Sequence, residues 1–250
     1  MCNASGDSRI IGAKVCWNPY RKGKSMNRKI LGIIGLGSFA LMVVLSTAWQ
    51  APAQDAKGPY PTSMAPLDQY LMDRNAEIAL ARSAAPPSIA KDATVMVLGK
   101  DGYETAVKGT NGFVCIVDRS WTDKQDEPEF WNPRRRGAMC LNAAGARSIL
   151  PNTFLRTKLA LAGQSKDQIF EALQAAFDKK ELPEVEPGAM CYMMSKQSHL
   201  SDRDGRWHPH LMFFVAPDPI FGDNAGDNRF VVFAVKVAKW SDGTPDTDGQ

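Results

Sequence analysis

No stretch of this 250-residue chain sets a nucleophile, a base and an orienting group in a recognisable pattern, so no reaction can be named from it. Internal repeats are also missing, which excludes a solenoid or propeller. Histidine is scarce: all three fall in one short window, as His199, His208 and His210. The glycine pair Gly109 and Gly112 does not lead into a helix, so a phosphate-cradling loop is not supported there. No cysteine stands at the cleavage site after the apolar N-terminal run, and a lipid-anchored form is therefore not indicated.

What the N-terminus has is a pattern for export. Met26-Asn-Arg-Lys is a short basic start, Ile30 to Ser46 is apolar or small and free of charge, and Ala51-Pro-Ala53 supplies small residues for a signal peptidase. Residues 26–53 are therefore expected to be a signal peptide, cleaved before Gln54, with residues 1–25 an extension upstream of the true start at Met26. The competing reading is a retained anchor, because Ile30 to Trp49 approaches the roughly 20 apolar residues a spanning helix needs. Cleavage leaves no stable membrane anchor and implies a periplasmic or secreted protein.

The leader also distorts the charge. Seven of the 30 Lys and Arg residues and one of the 27 Asp and Glu residues lie in residues 1–53, so the remainder carries a net charge of −3. The overall basicity belongs to the targeting segment and gives no support for nucleic-acid binding.

Periodicity places one α+β domain over 66–240, after a flexible lead-in at 54–65 and before a disordered tail at 241–250. Pro66 and the spacing of Leu67, Tyr70, Leu71, Ile78 and Ala81 predict an amphipathic helix to Ser83, stopped by Pro86-Pro87. Thr94–Leu98, Tyr103–Lys108 and Phe113–Asp118 are short strands separated by Asp-Gly and Asn-Gly turns, which predicts a three-stranded antiparallel meander. Phe113, Cys115 and Val117 alternate with Val114 and Ile116, so both sheet faces are expected to be covered. Residues 119–140 read as a long connection. Two helices follow, at 151–162 and after a Ser165/Gln168 capping box. Strands are expected at 189–194, 207–215 and 229–240, the last of them central in the sheet. The fold class is α+β: an antiparallel sheet packed with about three helices.

Beyond the leader lie Cys115, Cys140 and Cys191. By position, Cys115 pairs with Cys140 and staples the long connection to the sheet, worth roughly 3 to 4 kcal/mol in loop entropy. The alternative is three buried small hydrophobes.

The segments Gly109-Thr-Asn-Gly-Phe-Val-Cys115, Ala138-Met-Cys140, Pro187-Gly-Ala-Met-Cys-Tyr-Met-Met194 and His210-Leu-Met212 carry a resemblance. The chain resembles uncharacterised exported bacterial proteins with Asn-Gly-aromatic-x-Cys, Met-Cys, Gly-x-x-Tyr-Met and His-aliphatic-Met motifs in this order. The resemblance covers about half of the chain after the leader and implies no activity. It implies Cys115 with Cys140 as the pair, since Cys191 sits where such sequences need no cysteine.

Three chemistries remain open. On an extended segment His208, His210 and Met212 share a side, as do Cys191 and Met193, so imidazole and sulfur could converge on copper. Zinc would need a carboxylate such as Asp202 or Asp204. Cys191 with His210 as base would make a thiol enzyme, although a strand setting does little to stabilise a thiolate. Trp131 with Arg134, Arg135 and Arg136 could grip an anionic ligand, against the plainer reading of a solvated basic run. The favoured expectation is a non-catalytic domain that binds a small molecule or an envelope component, with the meander and the His208–Met212 strand framing the pocket.

Overall fold

The computed structural model describes residues 60–203, 207–217 and 229–247. The expected extension at 1–25, the signal at 26–53, the start of the lead-in and Asp204 lie outside the described residues.

The first expected helix is divided in two. A single 3-10 turn, Leu67–Gln69, is followed by Tyr70, whose hydroxyl donates to the Trp131 carbonyl and whose own carbonyl accepts from Arg119 Nε. That carbonyl is taken by a tertiary partner, so the helix cannot run on through it. It restarts as α1 (Arg74–Arg82), where the Asp73 carboxylate accepts from the backbone of Asn75 and Ala76. Pro87 opens α2 (Pro87–Ala90) at a position that asks for no N–H.

Seven strands follow: β1 (Thr94–Gly99), β2 (Gly102–Val107), β3 (Val114–Asp118), β4 (Gly137–Leu141), β5 (Met190–Met193), β6 (His210–Val215) and β7 (Val231–Lys236). Their order is β2-β1-β3-β4-β5-β6-β7, with every neighbouring pair antiparallel except β1 and β3. The class is α+β, with a mostly antiparallel sheet. The first three strands depart from a meander, because β3 lies on the far side of β1 from β2 and runs parallel to it.

Gly109 explains the departure: a Cβ there would meet Thr94 N at 2.1 Å and the Ala93 carbonyl carbon at 2.2 Å. The loop after β2 thus passes hard against the start of β1, held by Thr110 N and Asn111 N donating to the Asp92 carbonyl. The Asn-Gly pair serves this crossover and closes no hairpin.

Helices α3 (Ala143–Ser148), α4 (Leu150–Leu161) and α5 (Lys166–Asp178) lie between β4 and β5. The Ser165/Gln168 capping box opens α5 as expected. Helix α3 was not legible, although Asn142 caps it through Gly145 N.

Along β3, Cys115 and Val117 pack with Ala81, Ala90 and Ala93 on one face of the sheet. Ile116, on the other face, packs with Ile149, Leu150 and Cys191. Both faces are covered at this point, as the alternation predicts. A third cluster joins Tyr70, Trp121, Phe130 and Trp131 to Ile169, Phe170 and Leu173 of α5.

Two expectations about position fail. Residues 119–140 run into β4, which is the middle strand of the sheet, while the strand expected to be central, β7, is an edge. The expected tail also folds back: Asp246 N donates to the Ala238 carbonyl and Ser241 N to the Met194 carbonyl. Within the lead-in, Met64 and Ala65 pack on the core.

Cys115 and Cys140 face each other across β3 and β4 with Cα atoms 3.9 Å apart and form the expected disulfide. Cys191 is free and buried. Among the described residues, no helix is long and apolar enough to cross a membrane.

Candidate functional site

Where the sheet leaves the cover of α4, a cavity of about 300 Å³ opens between β4–β7 on one side and the 118–124 segment with α4 on the other. Its sheet wall is soft and apolar: Met139 from β4, Met193 from β5, His210, Met212 and Phe214 from β6, and Val232 from β7. The strand register explains this wall. Met193 lies directly opposite His210, and Met212 directly opposite Ala234. Residues paired in this way share a face, as do residues two apart on one strand.

The opposite wall is polar, with Asp118, Asp123, Arg135, Asn152 and Thr153. Arg135 Nη1 lies 3.2 Å from Asp118 Oδ2, and its Nη2 lies 2.9 Å from Asp123 Oδ1. Burial disfavours the charge on Arg135, but Asp118 and Asp123 more than offset it and hold the guanidinium above its usual range. Burial pushes the Asp123 carboxyl up to about 6; Arg135 opposes the rise, while Asp118 and Glu127 add to it. Asn152 accepts from Arg156 Nε at 2.9 Å through Oδ1, while its buried Nδ2 has no hydrogen-bond partner.

His210 Nδ1 lies 2.9 Å from the His208 carbonyl. A carbonyl only accepts, so Nδ1 carries the proton. Burial lowers the His210 pKa against the opposing effect of that bond, which keeps the ring neutral and leaves the Nε2 lone pair available. The Trp207 ring stands edge-on to the imidazole at 4.7 Å between centroids and limits its rotation.

The other expected ligands do not converge. His208 Nδ1 is 2.8 Å from Asp246 Oδ2, which Lys236 shares at 3.1 Å. Burial opposes ionisation of Asp246, but these two partners prevail and hold its carboxyl below the usual range. His199 Nε2 pairs with Asp202 Oδ1 at 2.8 Å, beside a different loop. Cys191 shares a face with Met212 but is wholly buried, and burial pushes its thiol well above the ordinary range. Its thiolate is thus disfavoured, contrary to what a thiol enzyme needs. Among the described residues, no group of three or more His, Cys, Asp or Glu could hold a metal ion.

The aromatic and basic set separates as well. Trp131 is 2 % exposed and belongs to the core. Arg134 pairs with Asp202, and Arg136 donates to the Pro133 and Gln69 carbonyls. Burial and the nearby Arg119 guanidinium hold Arg136 at about 10, below its ordinary value. Only Arg135 of the four lines the cavity, so the run is neither a joint anion clamp nor a solvated face.

A larger hollow of about 690 Å³ lies beside Phe177, Leu182, Val185 and Arg229. Its principal cation is already engaged, since Arg229 bonds Gln174 and Asp178. The smaller cavity is the better candidate, because a shifted carboxyl and a free imidazole nitrogen meet there, whereas Asn152 lines both hollows.

Asp118, Asp123 and Asn152 were not singled out from the sequence. Asp118 carried one usable signal, as a carboxylate ending a buried strand, whereas Asn152 lies inside a helix with nothing to distinguish it. Comparison with known proteins gives no match: no protein-family model, no curated protein and no solved structure resembles the chain significantly.

Proposed function

We propose that this is an exported, non-catalytic binding domain that takes a small ligand into the cavity between β4–β7 and α4. Its polar part meets Asp123, and the rest lies on Met139, Met193, Met212 and Phe214. The reading is carried by the division of the lining into a polar and a soft apolar wall. Export is supported by the basic, apolar and small-residue order of Met26 to Ala53 and by the Cys115–Cys140 bond, which persists in oxidising compartments.

The test uses N-phenyl-1-naphthylamine, a small apolar probe with one N–H, added to the purified protein lacking residues 1–53. Saturable one-to-one fluorescence enhancement is expected, and Thr153→Phe, which fills the cavity, should remove it while the folded circular dichroism spectrum is kept. Absence of enhancement, or equal enhancement in a folded Thr153→Phe variant, overturns the proposal.

A further inference from the structure

We infer that the sheet wall of this cavity also holds a monovalent copper ion, through His210 Nε2 and the thioether sulfurs of Met193 and Met212. The inference rests on the cavity being a binding site and goes beyond that reading, since it places a metal ion on the wall that the small ligand would lie against.

The register supplies the convergence. Met193 and His210 form a direct antiparallel pair, and such pairs place Cβ atoms about 4.5–5.5 Å apart. Met212 is two residues from His210 on the same face of β6, about 7 Å along the strand, within reach of an unbranched side chain. All three line the cavity, and Met139 lines it beside them.

The imidazole is prepared as a ligand. Its Nδ1–H is spent on the His208 carbonyl, and Nε2 has no other hydrogen-bond partner among the described residues. Metal-bound histidines are fixed in this way, by an outer bond that sets the tautomer and leaves one nitrogen lone pair. Trp207 against the ring adds a second restraint.

The donor set selects the ion. Thioethers with one imidazole suit soft Cu(I); zinc and other borderline divalent ions favour thiolate, several imidazoles or carboxylate. Among the described residues no cluster of three His, Cys, Asp or Glu offers that donor set. Charge points the same way. The far wall sets Asp118 and Asp123 against Arg135 and the exposed Lys124, so the lining is close to neutral and accepts one positive charge more readily than two. Thioethers also remain usable as ligands where the disulfide shows that thiols would oxidise.

The protein lacking residues 1–53 is titrated anaerobically with Cu(I) in competition with bicinchoninate, with ascorbate present to keep the metal reduced. One equivalent of Cu(I) should be withdrawn from the chelator. Met193→Leu and Met212→Leu, which keep volume, should each weaken binding by at least the roughly tenfold that removal of even an outer partner causes. Cys191→Ala should bind as the parent does, and Zn(II) should not compete.

Failure to withdraw Cu(I), undiminished binding by the folded Met193→Leu/Met212→Leu variant, or loss of binding with Cys191→Ala overturns the inference. N-phenyl-1-naphthylamine binding by the parent separates the two levels. Retained probe binding with no Cu(I) affinity in the parent sinks copper alone, while loss of both in the parent sinks the cavity as well.

Discussion

Asp118 presses its carboxylate against the Cα of Gly137, where an added Cβ would stand 1.9 Å from Oδ1 and 2.9 Å from Cγ. The two residues are opposite each other at the end of the β3–β4 ladder. The glycine is required for space and for nothing in its backbone, since its φ is not positive. Gly137→Ala should therefore push Asp118 off Arg135 and disturb the polar wall of the cavity. We expect a loss of about 1–3 kcal/mol, the usual range for overpacking, read as a lower urea midpoint at unchanged m-value.

Cys115 and Cys140 are both fully buried and close a loop of sequence separation 25 that contains Trp121, Phe130 and Trp131. Opening it frees that segment in the unfolded chain, worth about 3.5 kcal/mol in the loop-entropy account. The Cys115→Ala/Cys140→Ala variant should lose stability of that order in urea unfolding. Reductant should then have no further effect on the variant, while it lowers the parent to the same midpoint.

The sequence made element type legible where period and capping agreed, as in α5 with Ser165 and Gln168 and in β3 with its alternating Cys115 and Ile116. Position in the sheet was not legible. Gly-Ala-Met-Cys-Leu of β4 has no β-branched residue and follows three arginines, yet it is the middle strand, because small residues at 137 and 138 let Asp118 and Ser198 approach its backbone. Val-Val-Phe-Ala-Val of β7 has the composition of a buried strand and lies at the edge. Of the site, His210 and Met212 were visible through their spacing. Asp123 and Asn152 were not, because what sets them apart is an unshared environment created by α4 and the 118–124 segment.

Glu129 lies almost wholly buried in the loop before β4, and its carboxylate accepts from Ser201 Oγ at 2.6 Å, Asp202 N at 2.9 Å, Asn132 Nδ2 at 2.8 Å and Arg203 Nε at 3.1 Å. Burial alone would raise its pKa, but these donors prevail and hold it at about 2. A folded pKa below the unfolded value, about 4.3, means that the unfolded chain binds the proton first. The stabilisation is present in full above the unfolded value and is lost as pH falls through about 2. It is on the order of 3 kcal/mol. Glu129→Gln should be destabilised at neutral pH by an amount of this size, and the gap between the two proteins in thermal or urea unfolding should close between pH 5 and pH 2. A gap that stays constant over that interval contradicts the assignment.

Edge and centre make opposite demands on the same residue type, and two valines separate them. Val95 of β1 is fully buried between β2 and β3, whereas Val235 of β7 is 48 % exposed and, among the described residues, paired only with Leu211 of β6. Lysine at 95 would carry a charge into the layer beneath α1 with no partner, while lysine at 235 keeps its ammonium in water and lays its stem along the sheet. Val235→Lys should change stability by no more than about 0.5 kcal/mol, and Val95→Lys should cost ~4 kcal/mol or more and prevent folding in marginal conditions. Had β7 been central, the two substitutions would be equally severe; comparable unfolding midpoints for the parent and Val235→Lys distinguish the arrangements directly. A lysine on that edge should also reduce any concentration dependence of the sedimentation coefficient, because a flat apolar edge offers unpaired backbone groups to other chains and a charge there opposes such pairing.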